Sequence, residues 1–227
     1  MDDHPSLQEA RQPATMGVAH DAPGQAGVMG IALAAVLTAT LAQGSWQWFS
    51  SYIGVTLLAV IFSFYRLPGW VPGLLLTVNT LILAAGQSLG LKFVAGWRRT
   101  RVYVLCAAVW LIGAGLFAFG EFVPAMIAIP YIFVAMAISS GGEVFHLPQN
   151  GGAPTALAPD ALRGRYLALF SLVWTIAGIA SPTMVSLLLS INGAMLWVGM
   201  GAAALATAVV ALYSERVIDP DVQRMPV

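Results

Sequence analysis

Few side chains in this 227-residue chain are equipped for chemistry. Between residues 22 and 214 the charged set is Arg66, Lys92, Arg98, Arg99, Arg101, Glu121, Glu143, Asp160, Arg163 and Arg165, joined by His146. Glu143 follows 21 uncharged residues, 122–142. An acid within or beside an apolar span is a functional candidate, because charge in hydrocarbon is costly and is kept only for a reason. Two chemistries suit Glu143: pairing with Arg163, Arg165 or the Arg98–Arg101 cluster to hold a gate closed, or exchange of a proton. A hydrated carboxylate at the water boundary is the third option. His146, one turn on, suits interfacial hydrogen bonding better than a proton relay. Asp160, after Pro159, stands where it can cap the start of a following helix.

The remaining polar groups in the apolar stretches are neutral. They are Gln43, Gln47, Tyr52, Asn79, Gln87, Tyr131, Trp174 and Thr175. Amides in hydrocarbon need partners or water. Gln43 and Gln47 are four apart and share one helical face. With Trp46 and Trp48 beside them, that face can line an aqueous cavity and offer hydrogen bonds and aromatic contact to a cargo; the same groups can equally act as interhelical glue. Covalent catalysis finds little to work with. Gly86-Gln87-Ser88-Leu89-Gly90 matches the letters of a nucleophile elbow, but that motif needs a strand–turn–helix context and here it ends an apolar run. Three histidines and the single Cys106 are too few soft ligands for a metal centre, and there is no phosphate-binding loop. No enzyme activity, metal or cofactor is expected.

The elements that must position these groups follow from composition. Ten Lys plus Arg balance ten Asp plus Glu, only 9% of residues are charged, and 59% are hydrophobic; mean hydropathy is +0.81. Soluble domains carry about 25% charge. The zero net charge is a sum of opposites: residues 22–214 hold seven basic and three acidic groups, while residues 1–21 and 215–227 hold three basic and seven acidic. Ten charges cannot cover the surface of a soluble domain of this size, which excludes a soluble enzyme, a nucleic-acid binder and a disordered protein. The composition is that of an integral membrane protein whose first partner is the lipid bilayer.

A hydrocarbon core of about 30 Å requires about 20 helical residues. Charge-free runs at 67–91, 102–120 and 122–142 each supply one span, and 166–214, broken by Ser190-Ile191-Asn192-Gly193, supplies two. The run 22–65 holds either one long span or two short ones turning near Gly44-Ser45. With six spans, nine of the ten basic residues fall on one side and only Arg66 on the other. The positive-inside rule then puts both termini in the cytoplasm. Residues 1–27 read as a flexible polar tail and 215–227 as a cytoplasmic one. Pro124, Pro130 and Pro182 can kink their spans, and Gly113-Ala114-Gly115 and Gly199-Met200-Gly201 allow helices to approach closely.

One stretch carries a resemblance. Gly142-Glu143 at a helix end, then Pro148, then Leu157-Ala158-Pro159-Asp160-Ala161-Leu162-Arg163-Gly164-Arg165-Tyr166, closely resembles the joint between the tenth and eleventh helices of major facilitator superfamily transporters. Gly178-Ile179-Ala180-Ser181-Pro182 is similar to the middle of that family's eleventh helix. Asn79, Gln87 and the loop Gly90–Arg101 resemble its eighth helix and the loop after it, a degenerate copy lacking the usual acid: no Asp or Glu lies between Arg66 and Glu121. The resemblance covers residues 28–214 and favours one long first helix.

The resemblance implies an all-α polytopic bundle of six transmembrane helices, with spans near 28–63, 68–91, 102–120, 122–145, 166–189 and 193–213. It implies the C-terminal half of a secondary transporter in the inner membrane, working by alternating access with a second six-helix half or a homodimer partner. Gln43, Gln47, Asn79, Tyr131 and Trp174 would face a small-molecule cargo. Arg98, Arg99, Glu143, Arg163 and Arg165 would form a cytoplasmic gate. The alternative is a non-transporting helical membrane protein in which the same groups only pack.

Overall fold

Backbone N–H and C=O groups in hydrocarbon must be satisfied within their own segment, so charge-free runs of span length are driven into helices. The computed structural model describes residues 67–157 and 163–216, and all regular structure among them is helical. Five long helices follow in order: α1 (Val71–Val94), α2 (Arg99–Phe119), α3 (Ala125–Leu157), α4 (Arg163–Ile191) and α5 (Gly193–Ser214), with a 3₁₀ turn at Gly120–Phe122. Four stretches, Val71–Val94, Arg99–Phe122, Ala125–Pro148 and Gly193–Ser214, are long and apolar enough to cross a membrane. α4 includes the apolar stretch Gly178–Ile191. The first expected span, 28–63, with Gln43 and Gln47, lies outside the described residues, as do the N-terminal tail 1–27, Asp160 and residues 217–227.

Local chemistry sets the helix ends. Pro72 lies in the first turn of α1, where its missing N–H costs nothing. Between α1 and α2, Gly96 takes φ 75°, a left-handed conformation open to glycine, and the Trp97 amide donates to the Val94 carbonyl at 3.0 Å. Pro124 precedes α3, which continues without a break through Pro130 and Pro148 to Leu157. At 33 residues it is about 50 Å long, longer than a hydrocarbon core, so it extends well past the 145 boundary expected from apolar content. Pro182 lies inside α4, which remains helical around it. Asn192 alone separates α4 from α5: its extended backbone ends one helix, and its Oδ1 accepts from the Ala194 amide at 2.9 Å to start the next.

Lipid is as apolar as leucine, so van der Waals fit, rather than exclusion of water, drives these helices together. α2 is the central element, packed against α5 and α3; α1 packs on α3, and α4 makes lighter contact with α5 and α3. One core cluster joins Val71, Leu75, Phe117, Met136, Leu196 and Met200 at the end of the bundle away from the Arg-rich loop. There Phe117 and Trp197 stack at 4.7 Å with planes 7° apart. A second cluster, nearer the loop, gathers Val94, Val102, Cys106, Trp110 and Ala204. Cys106 is fully buried in it.

Candidate functional site

Ser139, Glu143 and His146 are spaced i, i+4 and i+7 on α3, so they form one stripe along one face. All three are buried, Glu143 at 2% exposure and His146 at 1%. Glycines let the neighbouring helices close over the stripe. A Cβ on Gly142 would lie 2.6 Å from the Trp110 ring of α2, and a Cβ on Gly90 of α1 would lie 2.5 Å from Val144. Gly113 of α2 leaves room for the Ser139 hydroxyl. His146 lies against two aromatic rings of α2, Trp110 at 5.2 Å and Tyr103 at 6.2 Å.

Asn79 on α1 comes within interaction range of the Glu143 carboxyl on α3. The structure therefore joins one residue expected at the cargo with one expected at the gate. Among the described residues no Lys or Arg forms an ion pair with Glu143.

The Arg-rich loop has a different acid. Arg98 Nη1 donates to Glu215 Oε1 at 2.6 Å, and Arg101 Nε donates to the same oxygen at 3.2 Å. Glu215 directly follows α5, so this pair ties the α1–α2 loop to the end of the bundle's last helix. The Arg98 hydrogen bond, followed by that from Arg101 and the positive charge of both, holds the Glu215 carboxyl below the usual carboxylate range. The loop's missing acid thus comes from what the sequence presents as the first residue of a polar tail. Arg99 is buried at the start of α2, while Arg163 and Arg165 are exposed on the first turn of α4.

The Tyr131 hydroxyl donates to the Leu116 carbonyl of α2 at 2.7 Å, from a half-buried position. Gln87 is exposed. Trp174 lies on α4, its side chain outside what is described. An open groove of about 560 Å³ runs between α1 and α3, with Leu89, Phe93, Val144 and Phe145 as apolar walls and Lys92 along it; neither Asn79 nor Tyr131 lines it. Two residues of this region escape reading from sequence. Glu215 had no visible signal, being 117 residues from Arg98. Ser139 had one, its i, i+4, i+7 register with Glu143 and His146.

A solved structure superposes on this arrangement: XylE, a proton:xylose symporter of the major facilitator superfamily, bound to 6-bromo-6-deoxy-D-glucose. The match has a TM-score of 0.62 at 14% sequence identity, covering 85% of this chain and 45% of that one. The chain has the fold of one half of a major facilitator. No family model and no curated protein matches its sequence. The likeness is thus one of fold, carried by the course of the helices, and this chain spans under half the length of the symporter chain.

Proposed function

We propose that this chain takes part in transmembrane transport of a small molecule by alternating access, as the C-terminal half of a carrier resembling the major facilitators. The observation carrying the reading is the superposition on 45% of a symporter of that fold, together with a bundle rich in apolar spans. In such carriers two halves rock about a midplane site, and no covalent step is required. The second half is another six-helix unit or a second copy of this chain.

The Arg-rich end faces the cytoplasm of the inner membrane in this reading, with both termini on that side, because basic residues concentrate there. It is the gate. Arg98 is anchored to Glu215, and Arg99, Arg163 and Arg165 add positive charge for acidic groups of the opposite half. Glu143, deeper and beside Asn79, couples the gate to the inner helices. The cargo is small and uncharged or amphipathic, since Gln43, Gln47, Asn79, Tyr131 and Trp174 offer amides and rings but no charge.

The full chain, co-expressed with whichever six-span partner its genomic neighbourhood encodes, should drive uptake or efflux of a neutral solute in liposomes. A panel of labelled monosaccharides and neutral amphiphiles would read this out. Flux indistinguishable from empty liposomes for the whole panel would overturn the transport reading in favour of a protein whose polar groups only pack. For the gate, Glu215→Arg should abolish flux, with partial recovery on reversing Arg98 or Arg101 to Glu; failure of every such exchange would remove this pair from the gate.

A further inference from the structure

The open groove of about 560 Å³ between α1 and α3 is shaped by two glycines. Gly86 and Gly90 bring the α1 backbone down onto Val144, whose methyl groups would lie 2.9 and 2.5 Å from a Cβ at those positions. Larger side chains beside that contact stand up as walls. Leu89 and Phe93 of α1 are 67% and 59% exposed, and the Phe93 ring meets Phe145 of α3 at 5.7 Å. From Gly86 to Phe93 the groove follows α1 for about 10 Å. That is roughly two-thirds of the depth of one leaflet, half of a hydrocarbon core of about 30 Å.

At the loop end the groove changes character. Lys92 lines it in the last turn of α1, exposed and without an ion pair among the described residues. Arg98 and Arg101 of the same loop share the Glu215 carboxylate instead. Trp97, 40% exposed, sets its ring 5.5 Å from Phe93, and tryptophans at the end of a span collect at headgroup depth. The groove is therefore apolar along the span and positive where the span stops. A soluble anion would leave the apolar walls unused, and an uncharged chain would leave the lysine unused. A lipid with a negative headgroup uses both, as basic pockets between membrane helices do.

We propose that the α1–α3 groove holds an acyl chain of one anionic phospholipid, with Lys92 on its headgroup phosphate. The site does not rest on the transport reading, because bound lipid is measurable on a chain that moves nothing.

The purified full chain in detergent is titrated with dioleoyl phosphatidylglycerol and, separately, with dioleoyl phosphatidylcholine, and bound lipid is read by native mass measurement. The two lipids share tails and phosphate, but choline cancels the phosphate charge, so the first phosphatidylglycerol should bind several-fold more tightly. Lys92→Gln should weaken that binding about fivefold and leave phosphatidylcholine unchanged. Phe93→Ala, at an exposed wall position, should weaken both lipids. Arg216→Gln removes an exposed charge after α5, outside the groove, and should alter neither. Equal affinity for the two lipids would overturn the proposal. Equal losses in Lys92→Gln and Arg216→Gln would do the same, leaving a diffuse positive surface in place of a site. Displacement of phosphatidylglycerol by glycerol 3-phosphate, which has no tail, would remove the groove from the binding. Finally, if Phe93→Ala turned larger species into monomers with lipid binding unchanged, the groove would be the seat of a second copy and not of lipid.

Discussion

Replacing Gly142 by alanine would drive a methyl group to 2.6 Å from the Trp110 ring, and neither partner has room to yield because both lie at a helix–helix contact. Overpacking of this kind costs about 1–3 kcal/mol, so Gly142→Ala should melt several degrees below the parent chain when followed by circular dichroism in detergent. Gly115 is the control: nothing stands within 4 Å of its would-be Cβ, and alanine there should be neutral or gain up to about 1 kcal/mol of helix propensity. Tyr131 separates packing from function. Its hydroxyl holds the Leu116 carbonyl across α2 and α3, a bond worth about 0.5–1.5 kcal/mol. If that bond is its whole role, Tyr131→Phe lowers the melting temperature modestly and leaves the half-saturating cargo concentration of any measured flux unchanged; a shifted half-saturation with unchanged melting marks contact with cargo.

At the level of elements, the junction between α4 and α5 rests on a single side chain. Asn192→Ala should cost about 1 kcal/mol through loss of the cap on Ala194, and Asn192→Ser should recover most of it. The tie between the α1–α2 loop and the end of α5 is sensitive to pH, with a definite sign. Glu215 has its carboxyl held below the ordinary range by Arg98 and Arg101, so the tie is intact above that range and is lost as pH falls through the lowered value. Limited proteolysis of the loop should therefore stay slow at neutral pH and speed up in acid, while Glu215→Gln should make it fast throughout. The helical character of the described runs was legible in the sequence because a charge-free run of span length has one stable backbone solution in lipid, and the break at Asn192 because a cap and a glycine stand together. The extension of α3 through Pro148 was not, since apolar content marks where hydrocarbon ends and not where a helix does. The stripe of Ser139, Glu143 and His146 was written in helical register, but its partners Asn79 and Trp110 depend on packing between helices, which no local pattern carries.

Across the whole molecule the outer faces of α1 and α4 are apolar and exposed, with Leu81, Leu89, Phe93, Leu172, Ile176 and Ile179 among the bared side chains. Lipid covers such residues in a bilayer, and so can a second half. Native mass measurement of the purified chain in detergent should give species larger than one chain; a monomer alone at every protein concentration would count against a partner half being a second copy. The fold also determines how such measurements can be made. Cys106 is the chain's one thiol, and it is sealed inside the cluster with Val102 and Trp110. A maleimide dye should therefore ignore the native protein and label it as it opens, so the wild-type chain reports its own unfolding by fluorescence. Any cysteine introduced at an exposed position such as Leu89 would likewise be the sole reactive handle on the folded surface, ready for accessibility mapping without removing a native residue.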